Sequence, residues 1–183
     1  MTPTIPSIDT LRHRIAINDC KAQYCYLIDD WELEALPSLF TEDTTLDYGG
    51  LGTYEGHEGV REFTEVIEET LERTTHLLTN PLIDVGQGPD IESEGDENAT
   101  NSENATEDEP THATGRWYVF STITYADGSS GVRVGTYRDE YRRVDDQWLI
   151  AKSQLRFTHS VDYEDTDQNG YWPGLRAHSS SQS

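Results

Sequence analysis

Three long strand-like segments lie between residues 112 and 160 and are separated only by tight turns. They read HATGRWYVFSTITYA, GVRVGTYRDEYRRV and QWLIAKSQLRFTHS, and the turns between them contain ADGSS and DDQ. Segments with this alternation, joined by short turns rich in Gly, Asp and Ser, pair as antiparallel hairpins. The sequence therefore predicts a run of long antiparallel strands.

Helical patterns precede these strands. Residues 7–30 have apolar residues at helical spacing and Ser7 as a candidate N-cap, WELEALPSLF predicts a short helix interrupted near Pro37, and GHEGVREFTEVIEETLERTT predicts another helix. TTLDYGGLG predicts a strand ending in glycine turns, and residues 76–85 predict a buried strand. This order favours one α+β domain over residues 1–163, in which helices cover one face of a curved sheet that encloses a pocket.

The charge of the chain excludes some classes of partner. With 183 residues and a net charge of -22, the surface repels nucleic acid and anionic membranes. Only two lysines are present, so we interpret the acidic surface as an adaptation to high salt, with a salt-indifferent acidic protein as the alternative. The N-terminus has no signal-peptide pattern and no segment reaches transmembrane length, so we expect a soluble cytoplasmic protein. Cys20 and Cys25 are expected to be unpaired core residues.

Two segments are too polar to form a core of their own. Residues 87–111 contain nine acidic residues and neither Lys nor Arg, which predicts a solvated, disordered insertion. Asn98 and Asn104 begin Asn-Ala-Thr sequons, which would accept glycans only in an exported protein, so we favour an unmodified loop. Residues 164–183 predict a flexible polar tail.

Four stretches together resemble the SnoaL-like branch of the NTF2-like superfamily. They are QYCYLIDDWELEALPSLF, LDYGGLGTYEGHEGVREF, THLLTNPLI, and ATGRWY followed by YRDEYRRVDDQWLI, within a span from Ile8 to Ser160. Within that branch the sequence is most similar to the bile acid 7α-dehydratases and, more distantly, to the scytalone dehydratases. The resemblance implies an NTF2-like cone, with N-terminal helices packed on a strongly curved, mostly antiparallel sheet.

The resemblance also implies three catalytic residues. By their place in its motifs, Tyr24, Asp29 and His76 correspond to the catalytic tyrosine, aspartate and histidine of the dehydratases, and Tyr48 corresponds to a pocket tyrosine of the first strand. A carboxylate that fixes the tautomer of a histidine allows the ring to move protons during an elimination. The alternative is a structural histidine in the core, hydrogen-bonded to a backbone carbonyl or to Asp29.

Three further residues are candidates for substrate binding. Arg156 is the only match for a pocket arginine of the last strand, but it stands one position early and would need a β-bulge to face the pocket. Asn80 follows His76 by four residues in the same predicted strand and should share its face. Trp117 alternates with Tyr118, so one of the two faces the cavity or the core.

These residues predict a cofactor-independent lyase or isomerase that acts on a small hydroxylated carbonyl compound. No metal site is expected, because the remaining histidines are scattered and lack ligand spacing. The resemblance further implies a homo-oligomer, a trimer or a dimer. Two other functions stay open: a noncatalytic small-molecule-binding protein, and a structural subunit similar to the small subunit of ring-hydroxylating dioxygenases.

Overall fold

The computed structural model describes residues 5–86 and 109–163. In these ranges the chain forms two α-helices, two 3-10 helices and one six-stranded sheet. The helices are α1 (Ile8–Asp29) and α2 (Gly56–Thr70), with 3-10 turns at Leu33–Leu39 and Gly49–Leu51. The strands are β1 (Phe40–Asp47), β2 (Thr53–Glu55), β3 (Leu71–Val85), β4 (His112–Tyr125), β5 (Ser130–Val144) and β6 (Gln147–Tyr163).

The sheet has the strand order β2-β1-β6-β5-β4-β3. Strands β3 to β6 pair antiparallel in sequence order, and the turns predicted the β4–β5 and β5–β6 hairpins among them. Strand β1 lies parallel to β6. Helix α1 contacts β3 and β6, and helix α2 contacts β1, β2 and β3. The predicted α+β cone, with helices packed on a curved, mostly antiparallel sheet, is confirmed.

Local signals in the sequence place the first helix correctly. Ser7 lies at the N-cap of α1, where its Oγ accepts a hydrogen bond from the Thr10 amide at 3.1 Å. The alternation predicted for β4 is also present, because Trp117 and Val119 are buried while Tyr118 is exposed. Cys20 is buried and unpaired, and so is Cys25, as expected for core thiols.

Residues 76–85 form a strand as predicted, but the prediction that this strand is buried is wrong. Within that stretch only Ile83 is buried, and Leu77 and Leu82 are each more than half exposed. The reason is position: β3 is an edge strand, which pairs with β4 alone and has one face only partly covered by α1. An apolar run in the sequence does not distinguish an edge strand from a central one.

Two predicted features lie mostly or wholly outside the described residues. The acidic insertion, residues 87–111, is described only from residue 109 onward, and the tail, residues 164–183, is not described. Within the described ranges, no helix has both the length and the apolar character needed to cross a membrane.

Candidate functional site

A cavity of about 130 Å³ lies between the two helices and the sheet. Most of its wall is apolar, with side chains from α1, α2, β3, β4, β5 and β6. Its polar side chains come from both helices and from the sheet side, namely Tyr24, Tyr48, Thr70, Thr74, His76, Ser121, Tyr125, Arg133 and Tyr137. An apolar cavity with a few converging polar groups is the usual form of a small-molecule site.

Asp29 and His76 form a hydrogen-bonded pair at this wall. Asp29 is the last residue of α1, and its Oδ1 lies 2.7 Å from Nδ1 of His76 on β3. Its Oδ2 accepts a second hydrogen bond from the His76 backbone amide, also at 2.7 Å. Because an ionised carboxylate only accepts hydrogen bonds, Nδ1 carries the proton and Nε2 is left without one in the neutral ring.

The Asp29–His76 pair lies between the cavity and a second depression. His76 lines both the cavity and a second depression of about 410 Å³ beside α1, whereas Asp29 lines only the second depression. Asp29 therefore contacts the imidazole from the side of the second depression, not from the side of the cavity. Tyr24, five residues earlier, lies about 140° around the helix from Asp29 and lines the cavity itself. The two residues need not share a face of α1 to act on one ring and one ligand.

Tyr24 and Tyr48 begin a chain of buried hydroxyl groups. Their hydroxyl oxygens are 2.9 Å apart, the Tyr48 hydroxyl donates to Ser153 Oγ at 3.3 Å, and Ser153 Oγ donates to Asp139 Oδ1 at 2.7 Å. Burial raises the pKa of both tyrosines, so each remains a neutral phenol near neutral pH. The hydroxyl groups of Tyr48 and Ser153 therefore both donate in the direction of the Asp139 carboxylate.

Asp139 is paired with a lysine that is fully buried. Lys21 Nζ lies 2.9 Å from Asp139 Oδ2, in an ion pair without hydrogen-bond alignment. The same ammonium lies 3.5 Å from the ring centroid of Tyr137 and 4.3 Å from that of Tyr24, distances typical of cation–π contacts. Asp139 also accepts a hydrogen bond from Tyr141 at 3.1 Å. The Lys21–Asp139 pair thus packs against two tyrosines of the cavity wall, Tyr24 and Tyr137.

The sequence contained a partial signal for this network. Asp139 occupies the same inward phase of β5 as Tyr137 and Tyr141, since alternate residues of a strand share a face. Lys21 gave no such signal, because a polar residue on a helix is ordinarily solvated. Only the packing of α1 against the sheet shows that its ammonium is enclosed.

Three predicted binding residues lie outside the cavity, and Arg156 is the first of them. Arg156 is exposed and donates to the Asp47 backbone carbonyl at 2.9 Å and to the Asp47 carboxylate, whose pKa it lowers. Its neighbours Leu155 and Phe157 line the cavity. β6 bulges against β5 at two places, Ala151 and Thr158. Neither bulge turns Arg156 inward, because the inward positions beyond Ala151 belong to Ser153 and Leu155.

Asn80 does not share the face of His76. Its φ angle is 54°, and the register of β3 against β4 shifts between Thr79 and Leu82. This irregularity interrupts the alternation between His76 and Asn80, so that the asparagine lines a separate surface depression.

Trp117 is buried but belongs to the core and the second depression. Its Nε1 donates to Asn18 Oδ1 at 3.5 Å, and its ring packs against Tyr141 with centroids 6.1 Å apart. Trp117 is thus absent from the cavity wall, and its predicted contact with substrate has no support in this geometry.

Several polar residues of the cavity were missed by the sequence analysis, among them Thr74, Ser121 and Arg133 on three neighbouring strands. Thr74 and Ser121 are buried, and the Thr74 hydroxyl has no hydrogen-bond partner. The short polar side chains alternate with apolar ones in ways that fit many strands, so only the register shows that they converge. In the described part of the chain, no group of three or more His, Cys, Asp or Glu residues is placed to hold a metal ion.

Comparison with known proteins identifies the family of this chain. The model of the SnoaL-like domain matches residues 9–154. Among solved structures, a candidate scytalone dehydratase from Novosphingobium aromaticivorans is 25% identical, with a TM-score of 0.67 over 86% of this chain and 92% of that one. A candidate aromatic ring hydroxylase from the same organism is 25% identical, with a TM-score of 0.66 over 87% and 96%.

The fold is shared more widely than these two structures. A type 2 hexachlorocyclohexane dehydrochlorinase is 20% identical, with a TM-score of 0.70 over 92% of this chain and 99% of that one. Comparison with curated proteins gives no match. The family model covers most of the chain and agrees with the cone seen in the structure. This protein belongs to the SnoaL-like domain family of the NTF2-like superfamily.

Proposed function

We propose that this protein is a cofactor-independent lyase of the dehydratase type, or an isomerase, that acts on a small hydroxylated carbonyl compound. The observation that carries this proposal is the pair of 2.7 Å hydrogen bonds by which Asp29 holds His76 in the wall of an apolar cavity. A histidine held in one tautomer, with its second nitrogen bare, is suited to general base catalysis.

In the dehydratase reaction, His76 Nε2 removes a proton from the carbon next to the substrate carbonyl. The C–H electrons form the new C=C bond as the C–O bond to the β-hydroxyl breaks, and the imidazolium returns the proton to the departing oxygen as water. Asp29 stabilises the positive charge that the ring carries between these two proton transfers. Negative charge on the carbonyl oxygen requires a hydrogen-bond donor within the cavity.

Tyr24 is the proposed donor, with Tyr48 behind it. Since Tyr48 donates to Ser153, the hydrogen bond between the two tyrosines uses the Tyr24 proton. A substrate carbonyl that binds here takes over that proton and leaves the Tyr48 oxygen as a free acceptor. The raised pKa of Tyr24 keeps the proton on its oxygen across the physiological pH range. The exchange replaces one hydrogen bond with a stronger one as charge develops.

The similarity to a candidate scytalone dehydratase supports a dehydration, although it does not identify the substrate. A second function has an observation of its own. The similarity to a candidate aromatic ring hydroxylase supports, as this second function, a structural subunit similar to the small subunit of ring-hydroxylating dioxygenases. A noncatalytic binding protein would use the same cavity, with His76 only as a hydrogen-bonding group. These functions differ in whether the bound compound changes.

The test is a turnover screen read by mass spectrometry. The purified protein is incubated in deuterated water with β-hydroxy ketones, acids and esters that fit the cavity. A dehydratase produces a loss of one water, and an isomerase incorporates deuterium next to the carbonyl. Both changes should disappear in His76→Ala. Turnover that is the same in the folded His76→Ala variant would overturn the proposed role of the histidine.

A further inference from the structure

Arg133 is the one arginine that lines the cavity among the described residues. It lies on β5, and its side chain is only 11% exposed. A positive charge in an apolar wall costs free energy unless it is paired. The proposed reaction gives this arginine no part, so its presence in the cavity calls for a separate role.

The register of the sheet relates Arg133 to the proposed base. Ser121 on β4 pairs with His76 on one side and with Arg133 on the other. All three side chains line the cavity. Because neighbouring strands are about 4.8 Å apart, His76 and Arg133 lie roughly 10 Å apart across the sheet. That span fits a small molecule with its reacting carbon at one end and a second functional group at the other.

The guanidinium is held in place by the backbone. Its Nη1 donates to the carbonyls of Val132 and Val161 at 3.1 and 3.2 Å. Gly131 leaves the space it needs, since a Cβ there would lie 2.7 Å from Arg133 Nη1. These contacts fix one edge of the guanidinium without using its other nitrogen, Nη2.

Nη2 contacts two groups, the Tyr125 hydroxyl, which belongs to the cavity lining, and the Asp162 carboxylate, which does not. Tyr125 accepts this hydrogen bond with its oxygen, so its own proton remains available to a further acceptor. Asp162 is 62% exposed, so returning it to water costs little. A carboxylate carried by a ligand would satisfy the same nitrogen and would also accept the Tyr125 proton.

We propose that the cavity takes a ligand with a carboxylate, which displaces Asp162 from Arg133 and receives a second hydrogen bond from Tyr125. The substrate class is then a small hydroxylated carbonyl compound that also bears a carboxylic acid. The position of its reacting carbon beside His76 rests on the proposed function, whereas carboxylate binding at Arg133 does not. On a chain of net charge -22, a buried arginine supplies the local attraction that an anionic ligand needs.

The experiment is a calorimetric comparison of two probes of nearly the same shape, benzoate and benzamide, at constant ionic strength. Hydrogen bonds to a charged group predict that benzoate binds about tenfold or more tightly than benzamide. Arg133→Gln should abolish this preference. Arg138→Gln, which removes an exposed arginine five residues along the same strand, should keep it. Asp162→Asn should tighten benzoate binding, because the competing carboxylate is gone.

A stabilising role for the Arg133–Asp162 ion pair alone would predict no gain of affinity in Asp162→Asn. If Arg133→Gln does not fold, Arg133→Lys retains the charge without the planar fork and should show a weaker preference. Equal binding of the two probes, or equal loss in Arg133→Gln and Arg138→Gln, would overturn the proposal. His76→Ala should retain the preference for benzoate, so a failure of the carboxylate site is distinguishable from a failure of the proposed reaction.

Discussion

At the scale of single residues, the proposed reaction depends on one proton between Asp29 and His76. The carboxylate contacts both the ring and the backbone amide of the histidine, so it fixes the position of the residue as well as its tautomer. Asp29→Asn keeps the shape but replaces one acceptor oxygen with an NH₂ donor. An amide that donates to Nδ1 would favour the opposite tautomer, with the proton on Nε2.

We therefore expect Asp29→Asn to lower kcat by about 10²-fold or more, with a smaller change in KM. The measurement is steady-state turnover of a compound identified in the screen. Asp30→Asn is the matched control, because Asp30 lies beside Asp29 but outside the cavity and the second depression. Equal losses in the two variants would show that Asp29 acts through general charge rather than through the ring.

The two cysteines give a prediction about pH. Burial raises the pKa of Cys20 and of Cys25 to about 12, above the ordinary value of about 9. The folded state therefore favours the neutral thiols, and their contribution to stability is complete below about pH 9. It is lost as the pH rises from about 9 toward about 12, where the unfolded chain ionises first. Urea denaturation should show a falling free energy of unfolding across this range.

Cys20→Ala/Cys25→Ala is the control, and it should show a shallower decline with pH. A decline that is the same with and without the thiols would contradict their assignment as buried, neutral groups. Thiol reagents at about pH 8 should likewise modify neither cysteine until the protein is unfolded.

At the scale of elements, α1 and β5 are joined by the ion pair of Lys21 and Asp139. Each charge is enclosed, so removal of one partner leaves the other buried and unpaired. We expect Lys21→Met and Asp139→Asn each to lower the free energy of unfolding by about 3–5 kcal/mol. The double variant should lose less than the sum of the two, as measured by chemical denaturation. Additive losses would show that the two charges do not interact.

How far the sequence predicted these elements depended on the local signals. Ser7 marked the start of α1, and alternation marked β4, because capping and strand period are local properties. The exposure of β3 was not predictable, because it follows from the strand order of the sheet. The misplacement of Asn80 and Arg156 came from β-bulges, which insert one residue and leave little trace in a single sequence.

The site itself was predicted in part. The contact between Asp29 and His76 followed from a family resemblance, and the structure brings the two together. Arg133, Ser121 and Thr74 could not be identified, because their convergence depends on strand register rather than on any motif. The roles of all these residues remain predictions that the experiments above address.

At the scale of the whole molecule, the net charge of -22 predicts salt dependence. Acidic side chains repel one another in dilute buffer, and at about 1 M salt the Debye length falls to about 3 Å, which screens that repulsion. We expect the melting temperature to rise as KCl increases from dilute buffer to about 1 M. A melting temperature that does not change would favour the salt-indifferent alternative.

Assembly is a second property of the whole molecule. Several large side chains are more than half exposed, among them Ile15, Tyr26, Leu77, Leu82 and Tyr118. Burying such residues against another copy would gain about 25 cal/mol for each Å² of apolar surface. We expect a dimer or trimer of the 20.7 kDa chain in sedimentation equilibrium at high salt. A monomer across the accessible protein concentrations would contradict this expectation.

The most direct test of the central claim is the tautomer of His76, read by NMR from protein that carries ¹⁵N-labelled histidine. The spectrum is recorded at about pH 8, above the ordinary histidine pKa of about 6.5, and His76 is assigned by its loss in His76→Ala. We predict a proton on Nδ1, a bare Nε2, and a change at Nε2 when a carbonyl ligand fills the cavity. A proton on Nε2, or an Nε2 signal that a cavity ligand leaves unchanged, would contradict His76 as the base.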